Sequence, residues 1–253
     1  MSAVLVINAD DLGMSPEVNE GIIEGLAAGV ISDASVLVGA PCTEDACRSL
    51  ERIRLTHVGV HINLDGQLGW SSPGRERFSR EELMARLEHG ELSETCRDEA
   101  RRQIEGFMSY GLTPTHLDTH HHVHGFWPVF SLLVDLMQDY RIPAMRFSRT
   151  GYRLLSRDPI PFDRRIYAQM EATLRGRGIM FCTQVLEGVH TFSQIGHHTC
   201  ELVVHPARGG DAWREKELDG LLSGEVRDTL RRRQVHLTNY RDLVLNRNRG
   251  LDD

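Results

Sequence analysis

A chain of 253 residues can bury a sizeable core, and its 40% hydrophobic and 26% charged residues argue against a disordered or fibrous class. The formal charge of −7 counts against a nucleic-acid surface, whose footprint is a basic patch. Five cysteines, at 42, 47, 96, 182 and 200, form no close CxxC pair, which argues against a disulfide framework or a zinc knuckle and predicts a reducing, cytoplasmic setting.

The first apolar run, Val4 to Ile7, is too short for a signal peptide, no later run is long enough to span a membrane, and neither a membrane nor a nucleic-acid partner is expected. It reads instead as a buried strand that stops at Asn8-Ala9-Asp10-Asp11, so two carboxylates sit just past a strand's C-terminal end. Gly13 permits a turn, and Ser15-Pro16-Glu17 caps a helix carrying Val18, Ile22, Ile23 and Leu26. A second strand is expected over Ile31 to Gly39, then a helix with Ala46 and Leu50. The alternating run from His57 to Leu64 predicts a third strand, which brings His61 to the same rim. Gln67 to Phe78 is loop-like and long enough for a substrate wall, with Trp70 its contact residue.

Helices follow around Leu83 and Leu87 and from Ser93 to Tyr110, then a strand over Leu112 to Asp118 and a helix over Phe126 to Tyr140. Ile142 to Phe147 reads as a short strand with Arg146 near its end, and Ser148 to Pro161 as a loop. A helix around Tyr167 to Leu174, a strand at Ile179 to Phe181 and a small helix at Phe192 to Ile195 come next. Thr199 to Pro206 is an apolar strand that ends in His205. From Ala212 the chain is charged and helical, with Val235 to Thr238 a last short strand. No repeat or linker divides the chain, so residues 1–253 are expected to form one domain.

The densest signal is Thr115 to Pro128, where five of thirteen histidines and Asp118 fall within ten residues. Asp118, His120, His122 and His124 follow His116 at every second position, so an extended chain would aim them all at one side. Imidazole and carboxylate on one face suit a divalent metal, whereas a solvated histidine-rich loop needs no such alternation. His121, the odd member, is expected on the opposite face.

Recurrent strand and helix predict an α/β fold, a distorted TIM-like (β/α) barrel, with a doubly wound sheet as the alternative. The glycine fingerprints of nucleotide-binding sheets are absent. Strand ends then gather Asp10-Asp11, His61, the histidine run and His205, enough for a metal site with one further carboxylate as base and an imidazole as acid.

Asn8-Ala9-Asp10-Asp11-Leu12-Gly13-Met14-Ser15, Gly59-Val60-His61-Ile62-Asn63-Leu64, the run from Thr115 to His124, and Glu201-Leu202-Val203-Val204-His205-Pro206 together resemble the YdjC-like carbohydrate deacetylases, a family that includes chitooligosaccharide deacetylase. The resemblance implies one divalent ion, Mg2+ or Zn2+, held by Asp11, His61 and His120, with Asp10 as base and His205 as acid. The reaction it implies is hydrolysis of an N-acetyl group on a sugar such as an N-acetylglucosamine oligosaccharide. Arg146 would keep Asp10 ionised, and Asp118, His122, His124 and Trp70 would support the site or contact substrate. Leu12, Asp65 and Ala207 depart from the family pattern beside these residues, which bears on substrate identity. A metal-dependent phosphoesterase and a non-catalytic metal-binding protein are the rival functions, and a symmetric dimer is the default assembly.

Overall fold

The structure, a computed structural model, describes residues 3–65, 78–151, 162–196 and 199–248. Strands and helices alternate along them: β1 (Val4–Leu12), α1 (Pro16–Ala27), β2 (Asp33–Leu37), α2 (Thr43–Arg52), β3 (His57–Ile62), α3 (Arg80–Glu88), α4 (Ser93–Ser109), β4 (Thr113–Thr119), α5 (Trp127–Asp139), α6 (Arg164–Gly176), β5 (Gln184–Glu187), β6 (Thr199–Val204), α7 (Ala212–Leu222), α8 (Gly224–Arg233), β7 (His236–Thr238) and α9 (Tyr240–Asn248). Two 3-10 turns, His120–Gly125 and Val189–Gln194, follow β4 and β5. The start of α1 matches its sequence signal: the Ser15 hydroxyl accepts the Val18 N–H at 3.3 Å, and Pro16 occupies the first turn.

All pairings are parallel, in the order β4-β3-β2-β1-β6-β5, and β7 adds to the start of β1. Beyond β4 the circuit continues through single bridges, Leu117 to Met145 and Ala144 to Met180, and Met180 leads into β5. The result is a distorted (β/α) barrel, as expected. Helices cover its outside, where Leu5, Ile7, Ala34, Val58 and Leu202 join one large buried cluster with helical residues such as Ile22, Leu50, Ile104 and Phe130. Val6, Ala144, Cys182, Tyr240 and Leu243 form a smaller one, which brings α9 against the inward side of the strands.

Three sequence expectations change. The segment 142–147 forms only isolated bridges at Ala144 and Met145, and regular pairing after α6 starts at Gln184 rather than at Ile179. The extended run expected through His124 stops at Thr119, because His121 (φ 53°) and His122 (φ 55°) take left-handed backbone and coil the chain into a 3-10 turn. Trp70 lies outside the described residues. Among the described residues no helix is long and apolar enough to cross a membrane.

Two glycines set close approaches that bear on the site. A Cβ on Gly59 of β3 would lie 2.3 Å from His116 Nε2, so the absent side chain makes room for that imidazole. A Cβ on Gly21 of α1 would lie 2.6 Å from the Cα of Ala207, so glycine lets the segment just after His205 dock on α1.

Candidate metal centre

Adjacent residues of a regular strand point to opposite faces, so Asp10 and Asp11 could not both serve one site from an ideal β1. The pairing of β1 with β2 slips between Ala9 and Leu12, and Asp11 takes a left-handed φ of 70°. This bulge turns both carboxylates into the rim, at the cost of strain that aspartate tolerates better than most residues. On the neighbouring strands His61 pairs in register with Leu37 and with Asp118. His61 Nδ1–H donates to Asp118 Oδ1 at 2.7 Å, which turns Nε2 towards Asp11 Oδ1 at 3.5 Å. His120 leaves the end of β4 with Nδ1 3.1 Å from the same oxygen.

Asp11, His61 and His120 thus offer ligand atoms that all lie within 4.8 Å of one another, and all three side chains are buried. Asp10, His61 and Asp118 form an overlapping group, but the Arg146 guanidinium already fills it. One carboxylate oxygen and two imidazoles that converge in this way fit a divalent ion. Arg214 holds the other oxygen of Asp11 at 2.7 Å, which fixes the carboxylate's orientation. Burial opposes a charged His61, yet Asp118 and Asp10 raise its pKa to about 10.

Asp10 has a different environment. Arg146 grips both its oxygens, at 2.6 and 2.7 Å, and Asn8 Nδ2 donates to Oδ1 at 2.8 Å. Burial would raise the Asp10 pKa, but Arg146 and then His61 hold it well below the usual carboxylate range. Arg146 is fully buried and also meets Asp118 at 2.7 Å and Glu201 at 2.8 Å. The other oxygen of Glu201 accepts the Tyr240 hydroxyl at 2.6 Å.

His205 closes the far side, with Nε2 3.9 Å from Asp10 Oδ2, beyond hydrogen-bond reach. Its backbone is pinned: the N–H donates to Glu217 at 2.6 Å and the carbonyl accepts from Arg214 at 3.3 Å. Beside it stands Trp213, with ring centroids 6.0 Å apart, 54% exposed and carrying the Arg214 guanidinium 4.7 Å from its ring centre. Glu187 lies 4.0 Å from His205 Nδ1, and burial, then Asp10, push its carboxyl up to about 8.

A model of the family described as YdjC-like protein matches residues 4–232. The chain belongs to that family. Two relatives align over nearly their whole length. A carbohydrate deacetylase of Clostridium beijerinckii is 26% identical over 94% of this chain and 99% of its own, and a chitooligosaccharide deacetylase of Citrobacter koseri is 27% identical over 96% and 100%. A carbohydrate deacetylase of Halalkalibacterium halodurans is 34% identical over 59% of this chain, an alignment that spans 64% of that relative. A crystal structure from Enterococcus faecalis, described as a candidate cellobiose-phosphate cleavage protein, has the same fold, with a TM-score of 0.73, 24% identity and coverage of 96% of this chain and 99% of its own.

The structure brings together Asp10, Asp11, His61, Asp118, His120, Arg146 and His205. His122 and His124 lie behind them with rings 6.0 Å apart, and neither belongs to the converging ligand groups. Burial, then Arg146, lowers both pKa values, that of His124 to about 3, so both rings are neutral. His121 does not simply face away: it pairs with the buried Asp65, and its ring centre lies 3.9 Å from that of His120. The departure at Asp65 therefore has a local partner. Sequence reading missed Arg214, Glu201, Tyr240 and Trp213. Glu201 had a usable signal, since it shares strand phase with His205 in an otherwise apolar run.

Proposed function

We propose that this protein is a metal-dependent carbohydrate deacetylase, a hydrolase that removes N-acetyl groups from sugars such as N-acetylglucosamine oligosaccharides. The observation that carries the reading is the unequal treatment of two adjacent carboxylates: Asp11 faces two imidazoles, while Asp10 is clamped by Arg146 opposite His205. Full-length relatives named carbohydrate deacetylase and chitooligosaccharide deacetylase support the choice of substrate class.

Asp11, His61 and His120 would hold one divalent ion, Mg2+ or Zn2+. When bound, such an ion acts as a Lewis acid towards the acetyl carbonyl and the attacking water. Asp10 takes the proton of that water through Oδ2, the oxygen that Asn8 leaves alone. Arg146 keeps Asp10 ionised and aimed. His205 Nε2 donates a proton to the departing amine, and it stands 3.9 Å from Asp10 Oδ2, so acid and base reach the same end of the site. An amide needs both steps, because its nitrogen leaves poorly unless protonated. Asp118 acts through His61, whose Nδ1–H it accepts. Trp213 offers an exposed indole next to His205 on which a sugar ring can stack.

The phosphoesterase alternative is weaker on this geometry. Asp10 and Asp118 are occupied by Arg146, so Asp11 is left as the carboxylate for a metal, too few for a two-metal site. The test is acetate release from N-acetylglucosamine oligomers before chelation, after it, and after metal is restored. The reading predicts loss on chelation and recovery with metal. Release that survives complete metal removal contradicts the metal role, and no release from any acetylated sugar contradicts the activity.

A further inference from the structure

The charge network behind Asp10 extends past residue 232, where the family match stops, into the C-terminal segment. Tyr240 opens α9 with its ring stacked on His116, centroids 4.1 Å apart, and its backbone N–H donates to Asp33 Oδ2 at 2.9 Å. Its hydroxyl donates to Glu201 Oε2 at 2.6 Å, and Glu201 Oε1 accepts Arg146 Nε–H at 2.8 Å. The two terminal nitrogens of the same guanidinium make the bonds to Asp10, and Nη2 also lies 2.8 Å from Glu201 Oε1 and 2.7 Å from Asp118. Tyr240, Glu201 and Arg146 are fully buried.

A guanidinium is a rigid planar fork, so the direction of its Nε edge fixes where the two terminal nitrogens point. Glu201 sets that direction, and a carboxylate held at one oxygen only can still rotate about its last bond. Tyr240 holds the second oxygen. We propose that Glu201 and Tyr240 are positioning residues for the deacetylation: through Arg146 they fix the carboxylate of Asp10, which makes the C-terminal segment part of the catalytic architecture. Burial pushes the Glu201 carboxyl above its usual range, and the Arg146 and Tyr240 donors offset this, so the form that grips Arg146 depends on them. A purely structural role is the competing account, since Tyr240 also packs with Val6, Ala144, Cys182 and Leu243.

The kinetic arm of the test rests on the deacetylase reading, and a second arm does not. Metal-loaded wild type, Tyr240→Phe, Glu201→Gln and the double variant are compared for acetate release from an N-acetylglucosamine oligomer, for metal content, and for the NMR signal of Arg146 Nε–H. Phenylalanine keeps the ring and its packing and removes one oxygen. We expect kcat of Tyr240→Phe to fall about 10- to 100-fold, as for outer partners of other reacting groups, with KM and metal content near wild type. The Arg146 signal should exchange slowly with solvent in the wild type and shift or quicken in Tyr240→Phe. The double variant should be no slower than Glu201→Gln alone, because Tyr240 acts only through Glu201. Wild-type kcat in Tyr240→Phe, or losses that multiply in the double variant, would overturn the proposal. If the wild type releases no acetate, the functional reading fails and the NMR arm still decides: fast exchange in the wild type, or an unchanged signal in Tyr240→Phe, overturns the positioning role.

Discussion

At the scale of single residues, the site divides look-alike neighbours by what each one touches. His120 and His121 are adjacent, yet only His120 turns a nitrogen to Asp11, while His121 pairs with Asp65. His120→Ala is therefore expected to lose bound metal and activity together, and His121→Ala to keep its metal. Metal analysis of the two purified variants checks this, and equal depletion in both would mean that the ligand assignment is wrong. Trp213 makes a different prediction, because it stands outside the buried cluster and next to His205. Trp213→Ala should raise KM for an acetylated oligosaccharide by about 3- to 10-fold, the worth of one aromatic stack, while metal content holds. An unchanged KM would remove Trp213 from the sugar site.

At the scale of elements, the strand ends were legible and their exact paths were not. Buried parallel strands announce themselves as apolar runs, which is why β3, β4 and β6 lie where expected and deliver His61, Asp118 and His205 to one rim, whereas β1 runs past its apolar start at Val4 to Ile7 and carries Asp10 and Asp11 within it. Alternation in the histidine run could not reveal that His121 and His122 adopt left-handed backbone, which leaves no periodic trace. Arg214 and Tyr240 escaped for another reason. Their partners Asp11 and Glu201 are 203 and 39 residues away in sequence, and no local pattern encodes such pairings. The start of β2 carries a testable consequence of this long-range packing. Asp33 is buried beneath Tyr240, and burial raises its carboxyl to about 8, against Tyr240 and Ala34 N–H bonds that lower it. A folded-state pKa raised above the ordinary carboxylate value of 3.8 means that the unfolded chain gives up its proton first. The contribution to stability is complete below that value and is lost as pH rises through about 8. The unfolding free energy of Asp33→Asn should thus change less between pH 5 and pH 8 than that of wild type, as read by urea melts. Parallel pH dependences in the two proteins would mean that Asp33 is ionised in the fold.

At the scale of the whole molecule, the barrel has one end for chemistry and an interior that supports it. Two carboxylates from one bulged strand, an imidazole from β3, another from just past β4 and a third from just past β6 converge because every strand runs the same way. Beneath them Arg146 ties three carboxylates into one network, which Tyr240 closes from the C-terminal segment. On the proposed function, Asp11 holds the metal and Asp10 moves the proton. The direct measurement is metal stoichiometry in Asp10→Asn and Asp11→Asn, prepared side by side and assayed for acetate release. Asp10→Asn should retain its ion at wild-type stoichiometry while turnover falls by about 10² to 10⁴, the usual worth of a general base. Asp11→Asn should be metal-depleted and regain part of its activity in excess metal. A metal-depleted Asp10→Asn beside a metal-replete Asp11→Asn would contradict the account.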